Sequence, residues 1–214
     1  LDVIYMSSCA LLGKTPDRGR ISEMDFSALY RMAKHHSMQA IVYLSLIKAM
    51  ESYPDLEVDD GLMARWKSDH HAVVKKLVQL DIERESLYRF LDENGCWHIG
   101  LKGIVLSHYY PTLGMRQMTD NDILVDDAYS KKIRDYFVSR GYEIESYGNH
   151  CHDVYCKGPL TFEIHRMLAE EIEKTRSAYN YYKNVKNILI SDSKSNLLRF
   201  SDDDFYVYYI FHAY

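Results

Sequence analysis

The pattern of apolar residues changes at Gly95, and this change limits the possible folds more than any other feature of the chain. Before Gly95, apolar residues recur at steps of three and four, which predicts helices. Residues up to Ile21 form a poorly patterned lead-in, and a helical region follows from Ser22, a plausible N-cap. A longer helix is predicted over Asp60–Glu93, with its charged residues on a solvated face. The chain between Ser22 and Gly95 is therefore predicted to be mainly helical.

After Gly95 the chain breaks into short β-prone segments separated by turns. The predicted strands cover residues 96–101, 120–125, 142–147, 153–156 and 160–164. Helices are predicted over residues 128–140, after residue 167 and from about residue 202. The last three strands follow one another through turns, which predicts an antiparallel meander. Together these segments predict an α+β protein with a small mixed or antiparallel sheet and helices at both ends of the chain.

Three regions are expected along the chain. They are an N-terminal helical region (1–94), a core that carries the strands (95–168) and a C-terminal helical region (169–214). Because the chain begins with Leu1 and stops inside an apolar run, we expect it to be part of something longer, with an incomplete C-terminal region. No apolar run reaches the roughly 18–20 residues of a membrane span, so no membrane partner is expected.

The net charge and the number of cysteines argue against some functions and cellular settings. The 214 residues carry a formal net charge of −5, which argues against broad, non-specific binding of nucleic acids, because such binding needs a dense Lys and Arg surface. The four cysteines are scattered in a chain that is long enough to fold without disulfides. We therefore expect a reducing, cytoplasmic setting.

Two carboxylates, Asp120 and Asp122, stand at alternate positions of one predicted strand. Side chains of a strand alternate between faces, so both carboxylates are expected on the same face. They repel each other unless a cation lies between them, and hard oxygen ligands suit Mg²⁺ or Mn²⁺. The pattern indicates a divalent cation site, although such an acid pair also occurs by chance along a solvent edge.

A third acid, Glu163, has the same phase on another strand. Glu163 and His165 are expected on one face of the 160–164 segment, with Phe162 and Ile164 on the other. If this strand lies beside the first, one register groups Glu163 with the two aspartates and also buries the apolar residues of both strands. His165 then either orients a ligand or a carboxylate, or it is a structural histidine at a strand end.

Other metal and nucleotide motifs are not indicated. The segment His150-Cys151-His152 with Cys156 lacks a second ligand pair at zinc-module spacing, and strand alternation would divide its ligands between two faces. No P-loop, HExxH, G-x-S-x-G or dinucleotide fingerprint is found in the sequence.

An ordered set of motifs extends beyond the acid pair. It reads LKG, then YP, then an Arg, then DNDILV, GY and FEIH, and it covers about residues 96–168. This set resembles the uncharacterised nucleotidyltransferase family of the DNA polymerase β-like nucleotidyltransferase superfamily. The segments DFSALYRMAKHH and FSDDDFYVYYIFHAY also resemble the flanks of that family.

The resemblance implies a fold and a set of roles. It implies a small mixed sheet of the nucleotidyltransferase type with helices packed against it, and two divalent ions held by Asp120, Asp122 and Glu163. Members often carry Asp as the third acid, so Glu163 is a longer variant. The resemblance further implies that Lys102, Gly103 and Arg116 contact the triphosphate.

The function that the resemblance implies is metal-dependent transfer of NMP from an NTP, such as ATP, to an unidentified acceptor hydroxyl. Mg²⁺ or Mn²⁺ is the expected cofactor. The acidic balance favours a small molecule or a protein over a long nucleic acid as the acceptor. The alternative is a catalytically silent module, for binding a nucleotide or a protein and possibly related to toxin–antitoxin systems, that retains the fold.

Overall fold

A computed structural model describes residues 1–148, 151–191 and 195–213. The chain forms two compact units. The first contains Leu1–Gln79 with Ser107–Met118, and the second contains Leu80–Leu106 with Thr119–Tyr214. Among the described residues, no helix combines the length and the apolar character needed to cross a bilayer.

The first unit is helical. Its helices in chain order are α1 (Asp2–Leu11), α2 (Arg18–Ser22), α3 (Phe26–His35), α4 (Gln39–Ser52) and the first part of α5 (Asp60–Glu93). Met6, Ile21, Leu46 and Trp66 are fully buried in its core. The bounds of α5 confirm the predicted long helix, and its continuation after residue 79 belongs to the second unit.

The interpretation of the first residues as a poorly patterned lead-in is wrong. Residues 2–11 form a helix, whose Met6 and Ala10 belong to the core of the first unit. The hydroxyl of Ser45 on α4 donates a hydrogen bond to the carbonyl of Met6 at 2.5 Å. The apolar pattern is weak because small or polar residues, such as Ser7 and Ala10, occupy buried positions.

The prediction of Ser22 as an N-cap is wrong, because Ser22 is the last residue of α2, and the helical region that follows it is two helices. The N-cap of α3 is Asp25, whose carboxylate accepts a hydrogen bond from the Ala28 amide at 2.9 Å. Between α3 and α4, Ser37 adopts a φ of +54°. A non-glycine residue in this left-handed region ends a helix, because helical backbone requires negative φ. The apolar spacing alone does not reveal that break.

The described residues of the second unit form a five-stranded mixed sheet. Its strands are β1 (His98–Gly100), β2 (Asn121–Val125), β3 (Glu143–Ser146), β4 (His152–Lys157) and β5 (Leu160–His165). Their order across the sheet is β1-β2-β5-β4-β3. Strands β2 and β5 run parallel, whereas the other neighbours are antiparallel. The α+β class is therefore confirmed, and so is the antiparallel meander of the last three strands.

The remaining helices belong mainly to the second unit. They are α6 (Lys102–Ser107), α7 (Ser130–Ser139), α8 (Arg176–Tyr182) and α9 (Asp202–Ala213). Phe137 of α7 packs on one face of the sheet, where its ring stacks on Tyr155 at 4.3 Å between centroids and lies 5.2 Å from Phe162. All three side chains are buried, so this face of the sheet carries an aromatic core.

The opposite face of the sheet packs partly against the C-terminal helices. Leu124 of β2 joins Tyr182 of α8, Phe200 and Tyr208 of α9 in a second apolar cluster. The rings of Phe200 and Tyr208 stack at 5.8 Å. Because Leu124 is two residues after Asp122, the same face of β2 carries an acid and then a packing residue.

Candidate active site on the acid face

The parallel register of β2 and β5 brings two of the predicted acids together. Asp122 pairs with Glu163, and Ile123 pairs with Ile164. Paired residues of neighbouring strands project to the same side of a sheet, so the two carboxylates share one face. Both isoleucines are buried on the other. The expected adjacency and phase of these strands are confirmed. We call the side that carries Asp122 and Glu163 the acid face.

Two features fix the end of β2 against α5. The side-chain amide of Asn121 donates a hydrogen bond to the carbonyl of Leu80 at 3.0 Å and accepts one from Arg84 at 3.1 Å. Arg84 also pairs with Asp81 at 2.7 Å, and its side chain is only 11% exposed. The expectation that Arg84 lies on a solvated face is therefore wrong, because it holds the strand that carries the acids.

Lys102 reaches the acid face from the turn after β1. Its ammonium lies 2.5 Å from Asp122 Oδ1 and 3.7 Å from Glu163 Oε2. Lys102 has a φ of +41°, an uncommon conformation for a residue with a side chain. The turn is close-packed, since a Cβ added at Gly100 would lie 2.6 Å from Ile104 Cγ2 and 2.9 Å from the Tyr88 hydroxyl. A glycine at position 100 thus leaves room for the side chains of Ile104 and Tyr88 beside the turn that carries Lys102.

Asp122 is buried and remains charged. Its side chain is 5% exposed, and its Oδ1 lies 3.1 Å from His165 Nε2 as well as close to Lys102. Burial by itself raises the pKa of this carboxyl, but hydrogen bonds with His165 and Lys102 outweigh burial and hold the pKa well below its usual range. The carboxylate is therefore a fixed negative charge in a largely desolvated place.

Asp120 immediately precedes β2 and is electrostatically close to the other two acids. Its Oδ2 accepts a hydrogen bond from the Thr119 hydroxyl at 3.1 Å. Burial, and then the negative charges of Asp122 and Glu163, raise the pKa of Asp120. Repulsion of this kind is what a bound cation would relieve.

Two histidines complete the acid face. His165 is buried, and its Nε2 lies 3.6 Å from Glu163 Oε2. Burial lowers the pKa of His165, but the hydrogen bond with Asp122 and the nearby Glu163 raise it above its ordinary value. His152 of β4 is the register partner of His165, and the ring centroids lie 4.9 Å apart. Burial and the charge of His165 lower the pKa of His152.

His152 is one of the residues that the sequence analysis missed at this site. The sequence places it in the 150–156 segment, whose zinc-like pattern is interrupted by strand alternation; His150 lies outside the described residues. The available signal is the predicted meander, because an antiparallel β4–β5 pair with a short turn puts residue 152 opposite residue 165.

A cavity of about 840 Å³ opens beside the acid face. Lys102, Glu163 and His165 line its charged part, and Leu168, Tyr208 and other apolar residues line the rest. Its volume is within the range of small-molecule sites. A charged end joined to an apolar wall can accept a ligand that is anionic at one end and flat or apolar at the other.

Helix α9 supplies two lining residues that sequence reasoning did not single out. Tyr208 and His212 are four residues apart and both line the cavity. Burial, followed by the charge of Asp122, raises the pKa of Tyr208 well above its usual range. Tyr208 is buried, so the apolar end of the chain packs on this chain at that residue.

The other predicted phosphate-binding residues are placed differently. Gly103 follows Lys102 inside α6, at the same turn. Arg116 belongs to the first compact unit, whereas the three acids belong to the second. The structure therefore brings Gly103 next to Lys102, and the contacts of Gly103 and Arg116 with phosphate stay predictions.

The donor set of the acid face fits a divalent cation. Carboxylate oxygens are preferred by Mg²⁺, which is usually held by one or two carboxylates together with substrate phosphates. The ammonium of Lys102 lies against Asp122 and Glu163, so the acid face stabilises a positive charge at this position. The acids and the lysine form an arrangement that can bind a polyphosphate with its cation.

Comparisons with known proteins agree with this geometry. A family described as "Uncharacterised nucleotidyltransferase" matches residues 22–214, which is most of the chain and includes every residue of the acid face. No curated protein and no solved structure matches the chain.

Proposed function

The chain belongs to the uncharacterised nucleotidyltransferase family, and on that premise we propose that it transfers NMP from an NTP to an acceptor hydroxyl at the acid face. The observation that carries the proposal is the pairing of Asp122 with Glu163 on parallel strands, with Lys102 within 2.5 Å of Asp122 and 3.7 Å of Glu163. An acidic pair that keeps a lysine beside it is suited to a phosphate chain with its cation.

The acids hold the cation in this proposal. Asp120, Asp122 and Glu163 would be the ligands of Mg²⁺ or Mn²⁺, which supplies positive charge to the phosphate oxygens when bound. Asp122 is well prepared for this role, because its pKa is held low and it needs no deprotonation at neutral pH. The pKa of Asp120 is raised by burial and by its acidic neighbours, so a bound cation would stabilise the charged form of this carboxyl.

The basic residues position the triphosphate. Lys102 serves as the counter-ion of Asp122 in the free protein, and we propose that it moves its ammonium to a phosphate oxygen when the nucleotide binds. Gly103 would allow close approach of backbone to phosphate, and Arg116 would contribute a planar fork of donors.

The reaction is a displacement at the α-phosphorus. The acceptor oxygen forms a bond to that phosphorus, the bond to the bridging oxygen of the β-phosphate breaks, and pyrophosphate leaves. Glu163 would accept the proton of the hydroxyl, since its side chain is 25% exposed and lines the cavity.

The apolar part of the cavity would hold the rest of a substrate. Leu168 and Tyr208 offer an apolar wall next to the charged end. A small molecule or a protein side chain is favoured as the acceptor over a long nucleic acid, because the chain has a net charge of −5. All four cysteines are free thiols, which supports the cytoplasmic setting in this proposal.

Label transfer tests the proposal. Purified protein is incubated with each α-³²P-labelled NTP, Mg²⁺ or Mn²⁺, and three acceptor pools from a cell extract: small molecules, proteins and RNA. We expect label to appear in one pool with release of an equal amount of pyrophosphate, and Asp122→Asn to reduce this by about 10²-fold or more. Nucleotide binding without transfer in any pool would contradict the proposal and favour a silent nucleotide-binding module.

A further inference from the structure

Three side chains of the acid face form a group whose chemistry differs from that of the aspartates. The ligand atoms of His152, Glu163 and His165 all lie within 4.8 Å of one another. We propose that this group is a binding site for a transition-metal ion such as Zn²⁺ or Co²⁺, in addition to the oxygen-only set of Asp120 and Asp122. We call it the His-Glu-His site.

The sheet itself positions the three ligands. His152 and His165 are register partners on β4 and β5, and Glu163 precedes His165 by two residues, on the same face. Side chains on rigid strands are held more accurately than side chains on loops. The group is therefore a product of hairpin register, and no flexible loop is needed to assemble it.

The distances leave a gap of suitable size. Glu163 Oε2 lies 3.6 Å from His165 Nε2 and 4.0 Å from His152 Nε2. Both distances exceed the roughly 3.2 Å limit of a normal N–H···O hydrogen bond. Ligands about 2.0–2.1 Å from a tetrahedral zinc ion lie roughly 3.4 Å from one another. Small side-chain movements would therefore convert this group into a coordination shell, in which His165 Nε2 releases its proton and exchanges its 3.1 Å contact with Asp122 Oδ1 for the ion.

The ligand types select the ion. Imidazole nitrogens suit zinc and other transition metals, whereas Mg²⁺ prefers oxygen ligands. Two histidines and one glutamate also form a known ligand set of catalytic zinc sites, which keep one position open for water or substrate. All three residues line the cavity, so an open position would face the substrate space.

Glu163 connects this site with the proposed reaction. The inference rests on the proposed function only in that the same carboxylate serves both sets. Metal binding itself does not require NMP transfer, so the two proposals can fail separately.

Cobalt binding tests the inference directly. The full chain, freed of metal with a chelator, is titrated with Co²⁺ while visible absorption reports nitrogen-containing coordination. We expect one tightly bound Co²⁺ per chain, resistant to excess Mg²⁺ and displaced by Zn²⁺. His152→Ala should raise the dissociation constant by at least about tenfold, because removing even an outer partner of a metal ligand costs that much. His108→Ala, which removes an exposed histidine elsewhere, should leave the constant unchanged.

Two further variants and a folding control distinguish loss of the metal site from misfolding and from loss of NMP transfer. Circular dichroism confirms that His152→Ala is folded, and Glu163→Gln, with nearly the same volume, should weaken Co²⁺ binding as well. Asp120→Asn should abolish transfer but keep the Co²⁺ spectrum, so this variant separates the site from the proposed function. Absence of Co²⁺ binding, or binding that is equal in the wild type and His152→Ala, would overturn the inference.

Discussion

The two faces of the sheet differ sharply although they are built from the same strands. On one face, Phe162 of β5 and Tyr155 of β4 pack against Phe137 in a fully buried aromatic cluster. On the acid face, Glu163 and Asp122 lie beside the ammonium of Lys102. Successive residues of β5 therefore contribute in turn to the aromatic core and to the charged site, because side chains of a strand alternate between the two faces.

The comparison also shows where stability comes from. Aromatic burial contributes a large, favourable term, and ring pairs add to it. The charged face contributes little, since taking an ion pair out of water costs about as much as the pair returns. A buried aspartate beside a lysine and a histidine is therefore better explained by function than by folding. Substitutions on the two faces should consequently have different effects.

The largest effect is expected on the apolar face. Phe162→Ala should lower the free energy of unfolding by about 3–5 kcal/mol, because it removes a buried ring and leaves a cavity. Urea denaturation measures this change. Glu163→Gln, at the next position on the same strand, should change the free energy by less than about 1 kcal/mol. Equal losses of unfolding free energy in the two variants would contradict the conclusion that the apolar face, and not the acid face, stabilises the fold.

The next effect is expected on the acid face. Asp122→Asn should reduce NMP transfer by about 10²-fold or more, since it removes a fixed negative charge from the proposed cation site. Circular dichroism checks that the variant is folded at the assay temperature, because removing one partner of a buried ion pair lowers stability. Asp135→Asn on α7, which changes an exposed acid, is the matched control and should keep full activity. If the Asp122 variant were fully active, the acid face would not be the catalytic centre.

Lys102→Met should have a smaller effect on the same face. Loss of one charge-assisted contact with phosphate is expected to raise KM for the NTP about tenfold, which corresponds to about 1.4 kcal/mol. Initial rates over a range of NTP concentrations give this value. Lys131→Met on the exposed side of α7 controls for the loss of a positive charge. An unchanged KM would show that the lysine does not contact the nucleotide.

The smallest effect concerns two thiols. Cys96 is fully buried, and burial raises its pKa to about 11, so very little thiolate is present at pH 8. The pKa of Cys151 is also raised by burial, but this side chain is half-buried and lines the cavity. Iodoacetamide should therefore alkylate Cys151 several-fold faster than Cys96, as followed by mass spectrometry. Raising the pH should speed both reactions, and a bound NTP should slow only the reaction of Cys151.

Sequence reasoning predicted the parts of the site that depend on local alternation. The period of two in β2 and β5 places Asp122 and Glu163 on the faces where the structure has them. The long helix α5 was predicted because its pattern persists over many turns. These features depend on residues close in the chain, and the physical rules for them are strong.

The parts that depend on distant residues could not be predicted in the same way. His152 joins Glu163 only through the register of a hairpin, and Tyr208 reaches the acid face only through packing of α9 on Leu124. The helix α1 escaped prediction because small and polar residues occupy its buried positions. In each case tertiary contacts decide the outcome, and no single segment carries that information.

A crystal structure with a non-hydrolysable NTP analogue and Mn²⁺ would show whether the acid face holds the cation and the triphosphate. We expect anomalous manganese density against the carboxylates of Asp122 and Glu163, with the triphosphate beside Lys102 and the nucleoside in the adjoining cavity. A nucleotide bound away from this face, or manganese that avoids all three predicted acids while the analogue is bound, would show that the acid face is not the catalytic centre.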